Sequence, residues 1–314
     1  MCYRLSFYSK LLARASLVAA LFFISVVSAH AQGSSATGMS YLKLGVGARA
    51  IAMGDIGVVL IDDGTSLHFN PASFLREEGA SISLMSNSWI QDVNTEYFGI
   101  TRSLDDWGFG LSLYHLSVKG IEIRTRPGPP EGTFDSQDFA AGLSVAHRLW
   151  QGFTLGVTGK FYYQNIYQDD AVGYGADVGV SYTPDIAGFS AGLALLNLGS
   201  MNPLVVYPTE LPGLARVGVG YVGALTDADV DFALSTGITK LLDGDEVHLQ
   251  VGGEITYIGL ISVRGGYQTG YGENRIGISA GLGITYSDLH FDYAFTPFQR
   301  EFGFAHAVSL AIDL

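Results

Sequence analysis

From residue 80 onward, large apolar side chains alternate with small or polar ones in about fourteen successive segments. In the last segment Val308 and Leu310 share one face, while Ala307 and Ser309 share the other. Successive side chains of a β-strand point to opposite faces, so each segment predicts a strand with one bulky and one small face. The predicted strands lie near 81–88, 95–103, 107–118, 138–148, 152–164, 171–183, 187–197, 214–223, 230–240, 246–257, 260–268, 275–286, 288–297 and 302–314.

The connections between these strands alternate in length, which distinguishes a membrane barrel from a soluble β-sandwich with the same alternation. Bacterial outer-membrane barrels have short periplasmic turns, longer external loops and aromatic girdles at the interfaces. Short turns are predicted at 104–106, 150–151, 184–185, 226–227, 258–259 and 287, and longer loops at 119–137, 165–170, 198–213 and 269–274. Aromatic residues flank the short turns: Trp107, Phe153, Tyr182, Tyr221, Tyr257 and Tyr286. The pattern predicts an all-β fold, a transmembrane antiparallel β-barrel of about fourteen strands.

Composition narrows the class of protein further. The 314 residues include 41 glycines and only 15% charged residues, against about 7% glycine and 25% charge in ordinary globular domains. A hydrophobic fraction of 48% excludes intrinsic disorder. The net charge of -13 makes the chain a poor binder of nucleic acid, which is itself negatively charged. The single cysteine, Cys2, leaves the rest of the chain without a disulfide or a thiolate metal site.

The first 31 residues have the three regions of a secretory signal peptide. Arg4, Lys10 and Arg14 form a basic start, residues 15–27 are apolar, and Ala29-His30-Ala31 supplies small residues at the cleavage site. A membrane anchor helix is the alternative interpretation. The signal peptide predicts export, and the barrel predicts insertion into the outer membrane of a Gram-negative-type envelope with its lipid as neighbour. The predicted divisions are a signal peptide at 1–31, an N-terminal segment at 32–79 and a barrel at 80–314.

Polar side chains recur on the small, inward face of the predicted barrel. Charges there must pair, meet water or bind a plug, and a barrel of fourteen strands leaves a lumen that its own side chains do not fill. Residues 32–79 are therefore predicted to form a plug, with Arg49 pairing with Asp177, Asp231, Glu254 or Asp292; an exposed periplasmic tail is the alternative. The predicted inward polar residues are Lys160, Asp177, Arg216, Asp231, His248, Glu254, Arg264, His290 and Asp292.

Three further motifs are candidates for chemical sites. The string Gly218 to Gly223 fits G-x-G-x-x-G but lies inside an alternating strand, where no helix follows to bind a pyrophosphate. The acidic groups at 227–231 and 243–246 lack the spacing of a calcium-binding loop and lie at turns. A barrel hydrolase would need a paired nucleophile and histidine, and no such pair can be assigned from His115, Ser117, His147 and His306. The sequence predicts no enzyme activity, no metal site and no cofactor.

The N-terminal segment resembles a known family. The run from Tyr41 to Asp55 is followed by an Asp-Asp-Gly turn and by Asn-Pro-Ala-Ser. This arrangement resembles the signature of PorV/PorQ-type proteins, which belong to the superfamily of the fatty-acid channel FadL. The residues that carry the resemblance are Gly47, Ala48, Arg49, Met53, Gly54, Asp62, Asp63, Asn70, Pro71 and Ala72.

The resemblance implies a FadL-like barrel with an N-terminal hatch, turned toward the first strand by residues 70–72. PorV-like proteins serve type IX secretion, so the implied partners are secreted cargo proteins and the attachment machinery. FadL-like proteins instead pass hydrophobic small molecules, which implies uptake of long-chain fatty acids or similar compounds as the alternative. The predicted external loops are short, so they offer little surface for docking a protein. The predicted inward face is polar, so it does not form a continuous apolar channel. The loops at 119–137 and 198–213, with Pro127, Pro129, Pro130 and Tyr207, are the expected contact regions.

Overall fold

A computed structural model describes residues 38–90, 92–206, 209–270, 276–298 and 303–314. In these ranges fourteen antiparallel strands pair in sequence order, and β1 closes on β14 to complete a barrel. The strands are β1 Ala80–Ser88, β2 Val93–Leu104, β3 Trp107–Ile123, β4 Gly132–Arg148, β5 Phe153–Ile166, β6 Asp169–Tyr182, β7 Phe189–Met201, β8 Leu214–Leu225, β9 Val230–Leu241, β10 Val247–Tyr257, β11 Ile261–Gln268, β12 Ile278–Tyr286, β13 Leu289–Pro297 and β14 Phe304–Asp313. The predicted all-β fold is confirmed. The predicted signal peptide, 1–31, lies outside the described residues.

The closing seam joins the first and last strands along most of their length. Eight residue pairs run from Ser81 with Asp313 to Ser88 with His306. Closure gives the backbone N–H and C=O groups of both terminal strands a ladder partner, which a membrane interior requires because it supplies no water. The alternating pattern of β14 follows from this position, since the strand has lipid on one side and the lumen on the other.

Two of the predicted long loops are wrong. In place of a loop at 119–137, β3 continues to Ile123 and β4 begins at Gly132, while 165–170 shortens to a two-residue turn at 167–168. The hairpin passes through a bulge between Val118 and Ile121, where Gly120 has a positive φ of 69° and its N–H donates to Asp135 Oδ1 at 2.9 Å. The bulge interrupts the two-residue period, so the alternation in the sequence stops at residue 118 although the strand continues.

The predicted end of β7 at residue 197 is also wrong, because the strand continues to Met201. The register between β6 and β7 shifts between Ala176 and Val178. Asn197 lies opposite this shift with a φ of 58°. Asparagine is common in turns and tolerates the left-handed conformation. Its presence therefore led the sequence pattern to predict a strand end at this residue, although the strand continues.

Residues 38–79 contain short helical elements and contact the inward face of the barrel wall. The α-helix α1 spans Ala48–Ala52, and 3₁₀ helices span Ser40–Lys43, Gly64–His68 and Ser73–Arg76. Their buried apolar side chains form clusters with inward residues of the strands, such as Phe69 with Tyr114 and Leu67 with Ala146. No helix in the described ranges has the length and hydrophobicity to cross a membrane.

Candidate functional site

A four-residue charge cluster joins α1 to the inward face of β10, β11 and β13. Arg49 donates to Glu254 twice, from Nη2 to Oε1 at 2.8 Å and from Nε to Oε2 at 3.0 Å. Arg264 donates to Glu254 and to Asp292. The Glu254 carboxylate raises the pKa of Arg49 above its ordinary value, so the guanidinium is charged throughout the physiological range. The structure thus pairs Arg49 with Glu254, one of the four acids expected for it.

The chain just after α1 lies directly on glycines of the barrel wall. A Cβ at Gly266 would lie 2.0 Å from the Gly54 nitrogen, and one at Gly252 would lie 2.2 Å from the Met53 carbonyl oxygen. Gly252 and Gly266 are paired across β10 and β11. Only glycine leaves room for a backbone at this distance, so these two positions form a seat for residues 53–54.

Asn70, Pro71 and Ala72 occupy a second seat on β5 and β6. The Asn70 side-chain amide donates to the carbonyl oxygens of Val58 at 3.2 Å and Val180 at 3.1 Å, and its oxygen accepts from Ala72 N at 3.0 Å. A Cβ at Gly156 would lie 2.1 Å from the Pro71 carbonyl oxygen. The Asn-Pro-Ala turn therefore holds the segment against the wall both by hydrogen bonds and by close backbone packing.

Other residues of the resemblance motif fix the backbone of the segment. Ala48 N donates to Ser309 Oγ of β14 at 3.0 Å, and Gly47, which precedes α1, has a φ of 82°. Asp63 caps the following 3₁₀ helix, because its Oδ1 accepts from Thr65 N at 2.7 Å. Burial raises the pKa of Asp63. Asp62 pairs with Arg76 at 3.5 Å and so joins the middle of the segment to its end.

A second charged cluster surrounds the bulge of β6 and β7. Lys160 Nζ lies 2.6 Å from Asp177 Oδ2 and donates to Asn197 Oδ1 at 2.9 Å. Asn197 N donates to Asp177 Oδ1 at 2.6 Å, and its side-chain amide donates to the Pro212 carbonyl oxygen at 3.1 Å. Asp177 is fully buried. The Asp177 carboxylate thus accepts a hydrogen bond from the Asn197 peptide N–H, which the register shift leaves without a partner in the β-ladder.

Ring contacts join the segment to Arg216 and Tyr114 of the barrel wall. The Arg216 guanidinium lies 4.8 Å from the centre of the Phe69 ring, a cation–π distance. His68 packs edge-on against Tyr114, with ring centroids 5.5 Å apart. Burial lowers the pKa of His68, and the positive charges of Arg216 and Lys160 lower it further. His68 is therefore neutral at physiological pH.

The remaining predicted inward residues do not join these clusters. His248 Nδ1 lies 2.7 Å from the Thr269 carbonyl oxygen, and His290 bridges Thr285 and Asp313 at 3.1 and 3.0 Å. Asp231 is exposed at the start of β9. In the described part of the chain, no group of three or more His, Cys, Asp or Glu side chains could hold a metal ion.

The expected contact loops differ in what the structure describes. Pro127, Pro129 and Pro130 are exposed at the tip of the β3–β4 hairpin. Two ion pairs lie at this tip, Arg124 with Glu122 and Arg126 with Glu131. Tyr207 lies outside the described residues.

Sequence reasoning missed Asn197, Ser309 and the glycine seats. Asn197 and Ser309 are ordinary polar residues in alternating strands, and no local pattern marks them as partners of a distant segment. The paired glycines at 252–253 and 265–266 were visible as Gly-Gly doublets. A doublet inside a strand signals a close approach of backbone, and this signal could have located the first seat.

A family model shows the family of this chain, and solved structures show the fold that it shares. The family model described as "Type IX secretion system protein PorV" matches residues 27–195, which is more than half of the chain. The comparison with curated proteins finds no match. Solved structures with the same fold include the toluene transporter TbuX of Ralstonia pickettii, at 13% identity and a TM-score of 0.59, covering 86% of this chain and 98% of that one. The toluene transporter TodX of Pseudomonas putida has 13% identity and a TM-score of 0.58, covering 85% and 96%. A Pseudomonas aeruginosa FadL homologue has 12% identity and a TM-score of 0.52, covering 85% and 98%.

Proposed function

Because this chain belongs to the PorV family of type IX secretion system proteins, we propose that it acts at the outer membrane by binding exported proteins and the machinery that attaches them to the cell surface. The protein is an outer-membrane β-barrel of FadL-like fold. The observation that carries the proposal is the family match, which spans the whole of residues 38–79, strands β1 to β6 and the first half of β7.

The proposal includes a plug formed by residues 38–79. Two seats support it, one on β10 and β11 and one on β5 and β6, since each brings segment backbone within contact of wall glycines. The Arg49–Glu254 pair supports it further, because a charged bond between the segment and β10 resists displacement. A lumen filled in this way leaves the external loops and the barrel exterior as the surfaces for partners.

Uptake of a hydrophobic small molecule is the competing function. It requires a continuous apolar route past residues 38–79. The charged clusters around Glu254 and Asp177 lie on the inner wall, and a hydrocarbon passing them would meet desolvated charges. This arrangement favours protein interaction over conduction.

The test is deletion of the gene, followed by two separate assays on the same strain. Surface export of cargo proteins is followed by proteolytic shaving of intact cells, and uptake is followed with a radiolabelled long-chain fatty acid. We expect lost export with normal uptake, restored by the wild-type gene. Normal export with lost uptake would contradict the proposal.

A further inference from the structure

A cavity of about 440 Å³ lies at the long-loop end of the barrel, between the start of the N-terminal segment and the wall. Ligand pockets in proteins are typically about 300–1,000 Å³, so this space suits a small molecule or a single side chain with its backbone. It is bounded by strand ends from β8 to β11 and by the β1–β2 and β13–β14 connections. The residues that carry the argument are Lys43, Trp89, Leu241, Glu246 and Phe298.

The cavity has an apolar wall with an aromatic corner. Trp89 and Phe298 meet edge to face, with ring centroids 5.0 Å apart at 85°. Leu214 and Leu241 continue this wall on the side of β8 and β9. Two rings held in a T-shaped arrangement form a rigid surface, and such a surface binds an apolar body with little loss of side-chain entropy.

Charged side chains of both signs, Lys43 and Arg216 with Asp55 and Glu246, are among the residues that line the same cavity. Lys43 Nζ lies 3.7 Å from Glu246 Oε2, and both side chains are about one quarter exposed. Charge-assisted hydrogen bonds are typically about 2.7–2.9 Å long. The Lys43–Glu246 pair is longer than this, so each charge retains room for a second partner. Glu246 is held in place through its backbone, whose carbonyl oxygen accepts from Leu241 N at 3.0 Å.

The combination restricts the ligand. A hydrocarbon would cover the apolar wall but would leave Lys43 and Glu246 less well solvated. A simple fatty acid would place its carboxylate near Lys43, where the neighbouring Glu246 carboxylate repels it. A ligand with adjacent positive and negative groups satisfies both charges, because its acid group faces Lys43 and its ammonium group faces Glu246.

We propose that this cavity binds a zwitterionic amphiphile, a molecule with neighbouring ammonium and acid groups and an apolar body that lies against Trp89 and Phe298. This chemistry has two sources, an apolar amino acid or short peptide and a zwitterionic lipid of the phosphatidylethanolamine type. The inference is independent of the proposed role in secretion, since it concerns a ligand of the isolated barrel.

The test is calorimetric titration of the purified full-length barrel in maltoside detergent. Four probes are compared: the dipeptide leucyl-phenylalanine, its N-acetyl amide, dihexanoyl-phosphatidylethanolamine and decanoate. We expect at least one zwitterion to bind with saturation and at least tenfold more tightly than both the uncharged amide and decanoate. Saturation by the dipeptide alone, or by the lipid alone, identifies the source. Equal binding of the amide or decanoate, or no saturation by either zwitterion, would overturn the proposal.

Two variants distinguish a loss of ligand binding from a loss of folding. Glu246→Gln keeps the shape of the side chain and is expected to weaken zwitterion binding at least fivefold, whereas Glu122→Gln removes a carboxylate from the distant Arg124 pair and should change nothing. A difference in gel mobility between the unheated and the heat-denatured protein checks that each variant is folded. Identical affinities of folded wild type and folded Glu246→Gln would contradict the assignment of the charges.

Discussion

Replacement of Glu254 by glutamine tests the charge cluster that links the N-terminal segment to the wall. The carboxylate accepts two hydrogen bonds from Arg49 and one from Arg264. Glutamine has nearly the same shape but offers one acceptor oxygen and an NH₂ group, which would point at a guanidinium donor. At least one arginine therefore loses its acceptor while Asp292 still holds Arg264.

The magnitude follows from the burial of the cluster. Hydrogen bonds to charged groups contribute about 1.5–3 kcal/mol each, and removing one partner of a buried ion pair costs about 3–5 kcal/mol. The side chains of Glu254 and Arg264 are 9% and 6% exposed. We therefore expect Glu254→Gln to lower the free energy of unfolding by roughly 3–5 kcal/mol.

The assay is equilibrium unfolding in urea with lipid vesicles, followed by tryptophan fluorescence. Glu122→Gln is the matched control, because the Arg124–Glu122 pair is about half exposed at a hairpin tip, where an ion pair contributes less than about 1 kcal/mol. If Glu254→Gln and Glu122→Gln destabilise the barrel equally, the cluster does not anchor the segment, and the reasoning is refuted.

Three further predictions concern the seats and the buried histidine. Gly266→Val should unfold the barrel or displace the segment, because its Cβ would meet Gly54 at 2.0 Å, whereas Gly265→Val, with nothing within 4 Å, should have the unfolding free energy of the wild type. Asn70→Ala should lower that free energy by about 2–3 kcal/mol, since it leaves buried peptide groups without partners, while Asn94→Ala at the exposed start of β2 should change it by less than about 0.5 kcal/mol. Stability should fall below about pH 6.5, the ordinary pKa of histidine, because burial lowers the pKa of His68 and the unfolded chain takes up the proton first. His68→Phe should reduce this loss by up to about 1.4 kcal/mol per pH unit, and an unchanged pH profile would show that His68 is not responsible.

The barrel can be predicted from the sequence because each strand shows its two environments in its own alternation of side chains. A strand with lipid on one side and small inward residues on the other must alternate, so pairs such as Val308 and Ala307 identify β14 without knowledge of its neighbours. The errors fall where a local irregularity breaks the two-residue period. Gly120 and Asn197, both with positive φ, ended the predicted strands early although the ladders continue beyond them.

The candidate site was only partly predictable, because its contacts join residues far apart in the chain. A charge in an apolar run, Arg49, signals a partner, but selecting Glu254 among several inward acids requires the strand register. The hydrogen bond from Ala48 to Ser309 spans 261 positions. No pattern in either local sequence encodes a contact of that range.

A reversible cross-link between the segment and the wall tests the central claim most directly, namely that the protein works by partner contact with its lumen closed. Ala48 N lies 3.0 Å from Ser309 Oγ, so cysteines are introduced at positions 48 and 309, and the loss of free thiols after oxidation verifies that a disulfide has formed. Cargo export is measured in cells that carry the double variant, with the disulfide formed and after its reduction. The account predicts equal export in both states. Export that stops when the disulfide forms and returns on reduction would show that the segment must move, and would contradict the account.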